Sequence, residues 1–212
     1  MRSIDEQVKD MLLELFLLES ASSYCEMESR MKVQKLHFIC QKQMTQNQVK
    51  GTNLKYFTLW RGPYSKLLAN DLIALQEVGL ITSRHRLTDR GKAMLPLYRD
   101  VFERQPNAVI VSEIMAVLEE YGALSAEELE QITHDMRLVP VGLSDSEPIR
   151  IKDLQPKIDL LVALETTQSK MAFELTDEEI ESLELSFCWA EEDLANMRQR
   201  STMSYEELFE GV

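Results

Sequence analysis

Met31-Lys-Val-Gln-Lys-Leu-His-Phe38, then Trp60-Arg-Gly-Pro-Tyr-Ser65, then Gly79-Leu-Ile81 and Leu87-Thr-Asp-Arg-Gly-Lys92 follow one another within about a third of the chain. Their order reads as helix, strand, Gly-Pro turn, helix, small hairpin and helix. Proline pushes the residue before it out of the α region, and glycine accepts whatever dihedrals the turn demands, so Gly62-Pro63 separates strand from helix. Ser65 is a good N-cap for a helix over 66–78. Gly79 stops that helix as a left-handed residue, with Leu80 placed to close back on Leu75. Thr88 caps a further helix to about residue 97. A winged-helix-like unit would be written this way. The turn residues Ser83-Arg84 are poor for a two-residue loop, so its wing is expected to be small or irregular.

The surroundings are helical. Ile4, Val8, Met11, Leu12, Leu15 and Leu18 form one apolar stripe, and a second helix is expected over 28–44. Lys55 to Trp60 is aromatic and reads as a strand. An amphipathic helix over 109–121 ends at Gly122, and Ser125-Ala-Glu-Glu128 is a capping box opening another. Pro140, Gly142 and Pro148 mark 137–149 as a linker. A short helix is expected over 153–164, despite Pro156. A second capping box, Thr176-Asp-Glu-Glu179, opens a helix to about residue 199 with Ile180, Leu183, Phe187, Ala190, Leu194 and Met197 on one face. A third box starts at Ser204. The expected fold is therefore mainly α with a small β component. It comprises a winged-helix-like helical domain (1–136), the linker (137–149) and an acidic C-terminal extension with an amphipathic helix (150–212).

Composition narrows the function classes. A hydrophobic share of 44% against 28% charged excludes wholesale disorder. The longest apolar run, 11–18, is broken by Glu14 and falls far short of the ~20 residues that span a bilayer. There is no signal-peptide pattern, and three cysteines without paired spacing argue against a disulfide framework. A soluble cytoplasmic protein is expected. His37 and Cys40 stand one helical turn apart, but the other histidines and cysteines are too scattered for structural zinc. No nucleophile elbow, cysteine-protease signature or glycine-rich phosphate loop occurs, so no enzyme, metal or cofactor is expected.

The net charge of −13 is unevenly laid down: −5 over 1–29, +9 over 30–105, −7 over 106–164 and −10 over 165–212. The basic block coincides with the winged-helix-like stretch. Either it faces an anionic partner or it neutralises the chain's own acidic ends. The 66–78 helix offers Lys66, Asn70 and Gln76 among apolar and acidic neighbours, thin equipment for a major groove. Tyr56, Phe57, Trp60 and Tyr64 surround the Gly-Pro turn. They either pack the strand or present an aromatic anchor beside Arg61, the residue types that dominate interface hot spots. The C-terminal stripe likewise either binds in trans or packs on its own core.

Together, Lys32-Val-Gln-Lys-Leu-His-Phe38, Trp60-Arg-Gly-Pro-Tyr-Ser65, Leu68-x-x-Asp71-Leu72-x-x-Leu75, Gly79-Leu-Ile81 and Leu87-Thr-Asp-Arg-Gly91 resemble the Panacea-type (SocA-like, phage-associated) domain, closest to its YwgA-like branch. Tyr121-Gly-x-Leu-Ser-x-x-Glu-Leu129 is similar to the family's later helix pair. The likeness covers about residues 5–136. After Thr133-His134 this chain has Asp135-Met136 where many relatives have Pro-Trp. The resemblance implies a mobile-element or prophage setting and an antitoxin that neutralises a toxin encoded beside it, by binding it or by delivering it to a protease. The expectation is a non-catalytic partner-binding protein, with Tyr56, Trp60, Arg61, Tyr64, Lys66, Phe187 and Leu194 as partner-binding residues and a basic toxin as the fitting partner. The alternative is a DNA-binding regulator using 30–105.

Overall fold

The computed structural model describes residues 2–24, 29–141, 147–161 and 169–187, and within them the chain is mainly helical with a small strand component. Helices α1 (Ile4–Ala21) and α2 (Arg30–Gln46) come first, followed by β1 (Val49–Lys50), the hairpin β2 (Tyr56–Leu59) and β3 (Gly62–Tyr64), and α3 (Lys66–Glu77). Next come α4 (Asp89–Met94), a 3-10 turn at Leu95–Tyr98, and helices α5 (Arg99–Glu103), α6 (Asn107–Tyr121) and α7 (Ala126–Asp135). Short strands β4 (Arg137–Leu138), β5 (Ile149–Arg150), β6 (Asp159–Leu161) and β7 (Met171–Ala172) precede α8 (Asp177–Ser186).

Local chemistry sets the helix ends. Ser3 with Glu6, Ser125 with Glu128 and Thr176 with Glu179 are complete capping boxes, each satisfying orphan N–H groups at a helix start. The end of α3 is a Schellman motif. Gly79 has φ +73°, its N–H donates to the Gln76 carbonyl (3.0 Å), and the Leu80 N–H donates to the Leu75 carbonyl (2.9 Å). Where a wing was expected, Ile81 and Leu87 form an isolated antiparallel bridge and the Thr82 N–H donates to the Arg86 carbonyl (2.8 Å). Thr88 caps α4 and its hydroxyl donates to the Gly79 carbonyl (2.6 Å). Gly91 lies so close to the Leu80 carbonyl that a Cβ there would collide with backbone. The Thr88-to-Gly91 spacing therefore docks α4 onto the end of α3.

Helix α2 is the axis of the molecule. Every residue from 32 to 41 is buried, with α6, α7, β1 and β3 packed around it. Helix α1 lies against α3, α6 and α8. A helix buried all round cannot be simply amphipathic, and α2 carries Lys32, Gln34, Lys35, His37 and Gln41 inside, where each polar group needs a partner.

The C-terminal part differs from expectation. Residues 153–164 were expected to be helical. Instead a 3-10 turn at Ile151–Asp153 leads to β6, which adds to β2 and completes a β3-β2-β6 antiparallel sheet. Pro156 has no N–H for a helix ladder. The open edge of β2 supplies the alternative, because Thr58 donates its N–H to the Ile158 carbonyl (2.9 Å) and its carbonyl accepts from Lys157 (2.8 Å). β7 pairs in parallel with β1, and β4 at the start of the expected linker pairs with β5. Ile151, Leu160, Phe173, Leu183 and Phe187 belong to the same buried cluster as the leucines of α1 and α2. Among the described residues no helix is long and apolar enough to cross a membrane.

Candidate functional site

Polar side chains on α2 hold a turn that points an aromatic residue outward. Leu59 pairs with Gly62 in the β2–β3 hairpin, leaving Trp60-Arg61 as a two-residue loop. Gly62 takes φ +85°, open to glycine at little cost. Beneath the loop, the Lys35 ammonium donates to the carbonyls of Arg61 and Pro63 (3.1 Å to the latter). Burial pulls the Lys35 pKa down to about 8, although nearby Glu130 opposes this. Gln34 grips the other end: its amide donates to the Ser65 carbonyl (2.9 Å) and its carbonyl accepts from the Ser65 N–H (2.8 Å). Ser65 in turn caps α3 through the Leu68 N–H. The Gln34-Lys35 pair and the 60–65 turn thus form one mechanical unit.

On this mount Trp60 is 85% exposed, and Arg61 is exposed beside it with a guanidinium N–H 3.9 Å from the Met31 sulfur. Tyr64 is half-buried, edge-on to Phe57 at 5.5 Å, and burial pushes its phenol pKa up. Lys66 opens α3 and is half-buried. The structure therefore gathers Trp60, Arg61 and Tyr64 on one hairpin, with Lys66 two residues further on. It does not add Tyr56 or Phe187 to that surface. Tyr56 is 1% exposed and packs edge-on against Phe38, and Phe187 is fully buried beneath α8. Both are occupied by the chain's own core, so neither offers a face to a partner. Leu194 lies outside the described residues.

From α7, His134 closes on the hairpin: a Cβ added at Gly62 would lie 2.8 Å from the imidazole Cδ2. Gly62→Ala should therefore cost about 1–3 kcal/mol, combining the overpacking with a positive φ that alanine tolerates poorly. Thermal unfolding of that variant checks it, and an unchanged midpoint would refute the tight seat.

A second polar centre was not anticipated from the sequence. Arg2 reaches across to two carboxylates, donating to Asp10 (2.7 Å) and through two nitrogens to Asp71 (2.7 and 2.6 Å). Asp10 also accepts from the Asn53 N–H (2.8 Å) and side-chain amide (3.0 Å), and Asp71 from Gln7 (3.1 Å). Glu14 sits in the same cluster with both oxygens buried and no donor to either. Burial, then the Asp71 carboxylate, raises its pKa well above the carboxylate range. That direction favours the neutral acid, the form that burial without a partner costs least. Burial likewise pushes Asp10 up to about 6, with Arg2 opposing. The buried Tyr56 hydroxyl is unpartnered among the described residues. The signal was available: Glu14 interrupts an otherwise apolar run, and Asp10 precedes it by one helical turn.

His37 is fully buried with Nε2 unpartnered, and burial drives its pKa down to about 3. Cys40 is buried with its thiol pKa raised. Among the described residues no group of three His, Cys, Asp or Glu side chains is placed to hold a metal ion.

Comparison with the models of known protein families, with curated proteins and with solved structures finds no match to this chain.

Proposed function

We propose that this chain is a non-catalytic partner-binding protein, antitoxin-like in its action, that grips a basic protein partner through the Trp60-Arg61 loop. One observation carries the reading: a tryptophan 85% exposed on a loop whose carbonyls are held by a buried lysine. Exposing a large aromatic ring to water is unfavourable, and rigid presentation lowers the entropy lost on docking. Tryptophan and arginine together are the residues that most often dominate interface energetics. The acidic segments, −7 over 106–164 and −10 over 165–212, favour association with a basic surface, such as that of a toxin acting on nucleic acid, while the loop itself lies in the +9 block. The sequence resemblance to the Panacea-type domain points the same way.

The DNA-binding alternative has less to draw on. Much of the basic block is committed internally. Lys32 donates to the Leu124 carbonyl, Lys35 to the hairpin, Arg90 to the Val78 and Ser186 carbonyls, and Arg104 to Glu179. Helix α3 leaves only Gln76 and Glu77 exposed. Binding to DNA would weaken steeply with added salt.

The test is co-expression with the product of the adjacent gene, followed by affinity measurement. Trp60→Ala should weaken the complex by about 2 kcal/mol or more, roughly thirtyfold in Kd, with the unfolding midpoint unchanged because the ring is exposed. Undiminished binding by that variant would remove the loop as the anchor. A shift of the protein's own upstream DNA at low salt, lost at high salt, would favour the regulator instead.

A further inference from the structure

Between α1, α2 and α6 lies an interior cavity of about 10 Å³, room for a single ion or water. Every residue that lines it is buried. Leu13, Leu17 and Ile114 make part of its wall apolar, and α2 contributes His37, Cys40 and Met44. These three stand at i, i+3 and i+7, so they fall within about 60° of one another around the helix. The two other polar residues at the cavity are engaged with each other and with the backbone. Gln41 donates to the Leu54 carbonyl (2.7 Å), and its amide oxygen accepts from the Thr52 hydroxyl (2.7 Å). His37 is different: its Nε2 is buried with no partner, and burial keeps the imidazole neutral, the form that binds metals. The Met44 side chain has a place made for it, because a Cβ at Gly51 would collide with its sulfur.

We propose that this cavity is a site for a soft monovalent metal ion, Cu(I), held by His37 Nε2, the Cys40 sulfur and the Met44 thioether. The donor set is the first argument. Thiolate and thioether ligands select Cu(I), and imidazole suits copper as well. The third ligand is a thioether, so the site does not need the third His, Cys, Asp or Glu that is missing there among the described residues. Charge is the second argument. A coordinated thiol gives up its proton, here to solvent as the Cu–S bond forms, and the resulting pair of Cu(I) and thiolate is neutral. A site with no water around it tolerates that pair far better than a net charge. Zn(II) would leave a net positive charge and lack the fourth ligand of a structural zinc centre. A water would be held poorly, because two of the three unengaged groups are sulfurs, which are weak hydrogen-bonding partners. The site involves no residue of the Trp60 loop, so it stands or falls apart from the partner-binding reading.

Cys25→Ser with Cys188→Ser leaves Cys40 as the only thiol of the full-length chain. In that background Cu(I), supplied anaerobically from a chromophoric Cu(I) chelator, should bind at one equivalent and raise the unfolding midpoint, whereas Zn(II) should do neither. X-ray absorption at the copper edge should show nitrogen and sulfur neighbours and no oxygen. Cys40→Ala should abolish binding. Met44→Leu, a swap of similar volume, should leave the metal-free unfolding midpoint close to that of the parent. It should also weaken Cu(I) binding by at least the roughly tenfold that losing even an outer-shell group costs. Uptake that survives Cys40→Ala would overturn the proposal, as would full affinity in Met44→Leu or an oxygen-ligated copper spectrum. Absence of uptake would overturn it too, and would leave water as the occupant of the cavity.

Discussion

Arg2→Met is expected to destabilise the protein by about 3–5 kcal/mol at pH 8, the cost of leaving buried charge without its counterion. The side chains of Arg2, Asp10 and Asp71 are 6%, 0% and 0% exposed, so water cannot take the place of the guanidinium. For a chain of this length, that loss should lower the unfolding midpoint by roughly 6–20 °C. The pH dependence sets this apart from lost packing. Burial raises the Asp10 pKa to about 6 in the folded protein, against a lower value in the unfolded chain, so the folded state binds the extra proton. The stability from that proton is fully present below the unfolded pKa and is lost as pH rises through about 6. Glu14, raised further by burial and by Asp71, extends the loss to higher pH. Without Arg2, which holds the Asp10 value down, the window for Asp10 moves upward. The variant should therefore lie closest to the wild type near pH 5 and fall away between pH 6 and 8. Thermal melts at three pH values check this, and a deficit independent of pH would mean that the guanidinium acts through packing alone.

The cluster also shows where a sequence reading stops. Caps and stops are local chemistry, and Ser65, Gly79, Thr88, Ser125 and Thr176 each sit where their side chain or backbone freedom predicts. The hairpin loop is nearly as legible, because Gly62 and Pro63 constrain their own dihedrals. What supports the loop is less so. Gln34 looks like an outward-facing polar residue of an amphipathic helix until the packing buries that helix on every side, and only then does the turn become the hydrogen-bond partner of Gln34 and Lys35. The same non-locality hides β6. Nothing within 153–164 announces a strand, but the unpaired edge of β2 does, and that edge lies about a hundred residues earlier. Asp10 and Glu14 are carboxylates in an apolar helix, which flags them as unusual without naming Arg2 or Asp71 as the reason.

Phe187→Ala should cost a comparable 3–5 kcal/mol, the usual range for removing a fully buried phenylalanine, whereas Leu185→Ala, two residues earlier and 74% exposed, should stay within about 0.5 kcal/mol of the wild type. The pair decides what the acidic extension does. If Phe187 were a contact for a partner, its loss would leave the melt unchanged and weaken the complex. As part of the core, its loss lowers the melt, and binding suffers only through the fraction unfolded. The distinction fixes where the chain can be shortened. Ending it before residue 169 would delete Phe173, Ile180, Leu183 and Phe187 from the core, together with the Arg104–Glu179 ion pair and the two-way hydrogen bonds between Asn107 and Glu174. That truncation should fail to fold, and a lost complex would say nothing about contact. Ending the chain after Phe187 keeps each of those interactions, and partner affinity measured on that form tests the acidic residues beyond it. A stable fold from the shorter truncation would overturn the core assignment of α8, and with it the reading of Phe187 as structural.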